Sequence, residues 1–150
     1  MRSFLPLALA VAALGGRAGA QDHQALAAEL ATLKKDADVL AYLEGDAARA
    51  RRLRELEAGM QARLHLAQEY RAQAEDLRRL QAMARDLRVP GDRPESGSPD
   101  TTEDREAQEL ELRAAEQARI ARETLVDLVA GYREVKALAT ARRKPGPGRK

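Results

Sequence analysis

Residues 88–104, RVPGDRPESGSPDTTED, are the one long stretch beyond the first twenty residues that cannot continue a helix. Pro90, Pro94 and Pro99 each disfavour helical backbone in the residue before them, and Gly91 and Gly97 add freedom that a helix has to remove. On either side the chain is dominated by Ala, Leu, Arg and Glu, strong helix formers. A chain with one such break, placed between two long amphipathic segments, has a simple way to bury its apolar faces: it doubles back.

The segment before the break, 46–89, places Leu53, Leu56, Met60, Leu64, Ala67, Ala74, Leu77, Ala84 and Leu87 on one helical face, with Arg71 as a polar intrusion. The segment after it, 101–141, carries Ala107, Ala114, Ala118, Ala121, Leu125, Leu128, Tyr132, Val135 and Ala139 in steps of three and four. Asp100 with Glu103 has the spacing of a capping box. Both arms come to roughly 60 Å at 1.5 Å per residue, and residues 90–100 form the Pro/Gly/Ser loop between them. Equal arms around one loop predict a long antiparallel helical hairpin, coiled-coil-like in its packing. Folding back near residues 88 and 101 pairs Leu125 with Leu64, Leu128 with Met60, Tyr132 with Leu56 and Val135 with Leu53. Nearer the loop the register opposes Ala118 to Arg71, and Ala107 to Ala82 or Ala84. The base of the hairpin is then filled by large aliphatic side chains. The half nearest the loop is lined mainly by alanine, which buries little area at about 25 cal/mol per Å².

Upstream, residues 21–45 repeat the pattern with Leu26, Leu30, Leu33, Ala37, Leu40 and Leu43. They predict a shorter N-terminal amphipathic helix, ended at Gly45 and followed by Asp46 as an N-cap; the alternative is one rod continuous through Gly45, since a lone glycine inside a helix costs only about 1 kcal/mol. The base of the second arm is wider than one partner needs, because Val126 and Val129 flank Leu125 and Leu128. The expected fold is all-α, with the N-terminal helix packed on the hairpin base through that extra width. The rival use of the stripe is a homodimer, and Val126→Glu should weaken either arrangement.

Residues 1–20 have the layout of a cleaved signal peptide. Arg2 precedes an apolar run from Phe4 to Leu14, and Ala18-Gly19-Ala20 offers small residues for cleavage. The run is about 11 residues where a membrane span needs about 20. Export to the periplasm or beyond is the expectation. Removing Arg2 and Arg17 with the signal lowers the 26 basic residues to the number of acidic ones, 24. Cysteine is absent, so neither a disulfide nor a thiol nucleophile is available.

Composition is 44% hydrophobic, 33% charged and only 3% aromatic. Short aliphatic side chains suit a thin helix–helix seam and do not line a deep pocket. The two histidines, His23 and His65, stand far apart, and the acid pairs Glu75-Asp76 and Glu103-Asp104 lie among arginines. Nothing in this pattern desolvates a carboxylate enough to make it a general acid. The chain is expected to be non-enzymatic and to need no cofactor.

Two sets of residues could recognise something. Cleavage after Ala20 would expose Gln21-Asp22-His23, whose amine, backbone nitrogens and imidazole form a square donor set suited to Cu(II) or Ni(II). At the other end, 142–150 form a basic tail with Arg142, Arg143, Lys144, Arg149 and Lys150 among Pro and Gly. Such a tail binds polyanions: an anionic membrane surface, an acidic wall polymer or an acidic protein of the cell envelope. Export and the lack of interleaved aromatics argue against nucleic acid.

In gross plan the chain is similar to small periplasmic helical proteins, among them the Skp/OmpH chaperones, whose helical arms grip unfolded clients. It departs from them in having no β-rich segment to form their trimerising body, and no residue role carries over. The resemblance implies a client-binding chaperone with an Ala-lined tip. The residues themselves favour a helical scaffold that binds other envelope components through its hairpin and tail.

Overall fold

The computed structural model describes residues 17–87 and 100–143. Every element among them is helical: α1 (Arg17–Leu33), α2 (Ala37–Gly45), α3 (Ala47–Asp86) and α4 (Asp100–Arg143). The protein is an antiparallel helical hairpin of α3 and α4, with a shorter N-terminal helical segment, α1 and α2, packed at its base. The loop expected at 90–100 lies outside the described residues, apart from Asp100.

The N-terminal segment is two helices where the spacing predicts one over 21–45. Three tight turns close α1: Lys34 N–H reaches Leu30 O at 2.9 Å, Lys35 N–H reaches Thr32 O at 3.1 Å, and Asp36 N–H reaches Leu33 O at 3.2 Å. Asp36 then leaves helical backbone (φ −66°, ψ 120°), and its carboxylate accepts from the Asp38 and Val39 amides at 3.0 and 3.5 Å. This is an N-cap that starts α2. The break rotates the apolar stripe. Leu30 and Leu33 are buried as expected, but Ala37 is exposed, Leu40 is 47% exposed, and Val39 is fully buried. At Gly45–Asp46 the chain turns again. Asp46 donates its N–H to Leu43 O and accepts from the Arg49 amide at 3.0 Å, so one residue closes α2 and opens α3.

The chain divides into two compact units, residues 1–62 with 120–150, and residues 63–119. In the first, Leu53, Met60, Leu125, Leu128, Val129, Tyr132 and Val135 are buried together with Leu30, Leu33 and Val39. Leu56 is half-buried. Leu53 lies so close to α4 that a Cβ added at Gly131 would stand 2.7 Å from its Cδ2. That is about one turn from Val135, the partner the sequence register gives it. Gly131 is therefore held small by its own core.

In the second unit the buried apolar residues are Leu64, Ala67, Ala74, Ala107, Ala114 and Ala118. Besides Leu64, the buried positions of α3 recur every seven residues: Leu53, Met60, Ala67, Ala74 and then Gln81. Gln81 is only 8% exposed, whereas Ala84 and Leu87, which the sequence places on the seam, are exposed, Leu87 by 83%. The heptad continues unbroken into the second unit, and the polar side chain occupies it because that period, and not side-chain polarity, decides which residue faces α4. Across the seam Arg63 donates to Gln117 at 2.8 Å and Arg78 pairs with Glu111 at 2.6 Å, both in antiparallel order.

Candidate interaction surfaces

The N-terminal segment is joined to the base by a row of charged contacts. Arg133 of α4 donates two hydrogen bonds to Glu29 of α1, at 2.6 and 2.7 Å. This bidentate pair is the strongest geometry available to an exposed ion pair. Lys136 reaches Asp36 at 3.2 Å, Arg143 reaches Asp38 at 2.5 Å, and the Arg142 guanidinium lies 4.3 Å over the Tyr42 ring. On the α3 side, Lys34 pairs with Glu57. The hydrogen bonds from Arg133 hold the Glu29 carboxyl below the usual carboxylate range, and Glu29 in turn raises the Arg133 pKa. Asp36 is lowered first by the Asp38 amide and then by Lys136. Burial raises the Tyr132 phenol above its ordinary value, with the Glu57 charge adding to the effect.

These contacts change the reading of the basic tail. Arg142 and Arg143 belong to the last turn of α4, and both are engaged with α2. They are not part of a free tail. Lys144, Arg149 and Lys150 lie outside the described residues. Gln21, Asp22 and His23 sit within α1, where the amides of Asp22 and His23 follow a full helical turn. The square donor set needs the free amine that cleavage after Ala20 would create, and in a helix that starts there the amides of Asp22 and His23 are among the first four, which have no intrahelical acceptor. Of the expected signal segment, Arg17–Ala20 are helical and 1–16 lie outside the described residues. Among the described residues, no helix is long and apolar enough to cross a membrane, and no group of three or more His, Cys, Asp or Glu could hold a metal ion. His65 is exposed and pairs with Glu69 one turn away at 3.2 Å.

Val129 is buried as the wide stripe implies, but Val126 is 48% exposed. The second unit carries further apolar side chains in solvent: Leu80 and Met83 at 63% each, Leu87 at 83% and Leu112 at 71%. Leu80 and Met83 share one face of α3, and Leu87, in the turn just past its end at Asp86, continues their i, i+3, i+7 spacing. Sequence reasoning passed over Leu80 and Met83 because they fall off the main stripe, although their spacing relative to Leu87 is visible in the sequence.

Among the described residues, open hollows flank the seam in each unit. In the second unit, one of about 280 Å³ is lined by Arg71, Glu75, Arg78 and Glu111. In the first, one of about 550 Å³ has Arg49, Arg52, Leu53 and Leu56 on the α3 side and Asp127, Ala130, Gly131 and Glu134 on the α4 side. Arg49 bridges its rims, 3.3 Å from Glu134 and 3.8 Å from Asp46, and its Nη1 is buried with no hydrogen-bond partner. Comparison with protein-family models, with curated proteins and with solved structures returned no match for this chain.

Proposed function

We propose that this chain is an exported, non-enzymatic helical scaffold that binds other components of the cell envelope, in the periplasm, through its hairpin. The observation that carries the reading is the apolar row Leu80, Met83 and Leu87, left in solvent at the end of a helix whose nearby seam positions are Ala74 and Gln81. Side chains of that size at helical spacing are the usual anchors of a helix-in-groove or helix-on-helix contact. Export rests on the N-terminal pattern of Arg2, the apolar run and Ala18-Gly19-Ala20. The basic end contributes a smaller share than its composition implies, since two of its five charges are engaged with α2.

The test is cross-linking and pull-down from the native envelope with the unaltered chain and with Leu80→Glu/Met83→Glu. The scaffold reading expects a defined partner that the double variant loses while its helical circular dichroism is kept. Equal recovery by both proteins would remove the apolar row from the account.

The same row also supports a second reading, a client-binding chaperone that offers Leu80, Met83 and Leu87 to unfolded chains. Suppression of aggregation of an unfolded outer-membrane protein, lost in the same double variant, would favour the chaperone. No suppression favours the scaffold.

A further inference from the structure

The hollow in the first unit continues into a face that the other described residues leave open. On α3, Arg52, Leu56 and Gly59 follow i, i+4, i+7 spacing and share one side of the helix. On α4, Asp127, Ala130 and Glu134 do the same. The N-terminal helices take the other flank of α4, the one that carries Val129 and Lys136.

Gly59 is the informative residue. A Cβ added there would meet nothing within 4 Å, so no packing within the described chain requires glycine. Glycine inside a helix costs roughly 1 kcal/mol relative to alanine. Gly131, by contrast, is explained by Leu53. An exposed glycine in mid-helix, beside a hollow with a half-buried leucine, lets another backbone come close.

Charge indicates what comes close. The α3 rim is basic and the α4 rim acidic, and Arg52 and Asp127 are both exposed with no ion-pair partner among the described residues. Because α3 and α4 are antiparallel, a two-fold axis along the helices lays α3 of one copy against α4 of the other, again antiparallel. Arg52 then stands at a height between Asp127 and Glu134 in the second copy, since Leu53 and Gly131 already lie level within one chain. Laying α3 on α3 would instead set Arg49 and Arg52 against their own kind, which costs energy. An isologous interface needs a surface complementary to itself, and one basic rim beside one acidic rim supplies it.

The geometry points to self-association: two copies of this chain pack through the open flank of α3 and α4, each placing Arg52 against the acidic Asp127–Glu134 rim of the other, with Gly59 at the close approach. The face differs from the valine stripe that the sequence suggests for a dimer.

Analytical ultracentrifugation of the full chain tests it, with circular dichroism as the control for folding. The expected result is a dimer at tens of micromolar. Arg52→Glu should weaken it about tenfold or more, the equivalent of about 1.4 kcal/mol. Gly59→Leu, which the monomer accommodates in open space, should also yield monomer with undiminished helicity. The charge swap Arg52→Glu/Asp127→Arg, which leaves the Arg49–Glu134 pair of each chain intact, should restore the dimer. A monomeric unaltered chain, a dimer indifferent to both single changes, or a swap that fails to restore association would each overturn the proposal.

Discussion

The two units of this protein use one heptad frame and fill it differently. In residues 1–62 with 120–150, the repeat presents Leu53, Met60, Leu125, Leu128, Tyr132 and Val135, and the N-terminal helices add Leu30, Leu33 and Val39. In residues 63–119, the same repeat presents Ala67, Ala74, Ala107, Ala114 and Ala118, one leucine at 64, and a buried glutamine at 81. Helix period alone therefore does not set how firmly a region is held. A buried leucine removes far more apolar surface from water than an alanine does, at about 25 cal/mol per Å², while the backbone entropy lost on folding is the same. The first unit should be the firm part of the molecule and the second the part that opens first. Helix period also turns large apolar side chains of the second unit, Leu80, Met83 and Leu112, away from this seam and into solvent.

The contrast can be broken most decisively in the first unit. Leu128 is fully buried, and Leu128→Ala should cost about 2–5 kcal/mol, read by urea unfolding. Ala114→Gly in the second unit should cost only about 1 kcal/mol, and an equal loss from the two would remove the distinction. Gln81 offers a change of opposite sign. Its Nε2 is buried without a partner, and an unsatisfied amide costs about 1–3 kcal/mol. Gln81→Leu should raise stability by about 1 kcal/mol, with the slowing of hydrogen exchange confined to residues 63–119. A loss of stability would show that the glutamine is needed where it is.

Acid should act mainly on the row that fastens the N-terminal segment. The folded pKa values of Glu29 and Asp36 are lowered by their partners. Their contribution is complete above the unfolded carboxylate range, near pH 4, and is lost as pH falls through the lowered values. Protease sensitivity of residues 17–45 should therefore rise below about pH 4, and Arg133→Ala should move its onset upward. Tyr132 works the other way: its raised pKa gives a contribution that is full below about pH 10 and lost as the phenol ionises above that, so Tyr132→Phe should flatten the alkaline limb of a stability profile. The smallest effect belongs to Val126→Glu. The sequence makes it disruptive, but the 48% exposed side chain predicts a change within about 0.5 kcal/mol.

The hairpin and its base were legible because large aliphatic residues recur there at helical spacing and because prolines and glycines cluster in one place. What escaped was carried by polar residues or by contacts distant in sequence. Lys34-Lys35-Asp36 breaks a helix without glycine or proline; the available signal was Asp36 as a capping residue with Asp38 in the following first turn. Gln81 escaped because the apolar pattern was followed to Ala84, although counting sevens from Leu53 lands on the glutamine. Arg142 and Arg143 read as tail by composition, since Tyr42 and Asp38, which engage them, lie about 100 residues away. Gly59 was visible only as a weak point in a helix, and the empty space around it required coordinates.

Hydrogen exchange along α3 tests the central contrast most directly, because this one helix contributes to both units. The account predicts slow exchange for amides near Leu53 to Met60, and a fall in protection past residue 62 toward Ala74 and Gln81. Uniform protection from one end of α3 to the other, or greater protection in the alanine-lined stretch, would contradict it.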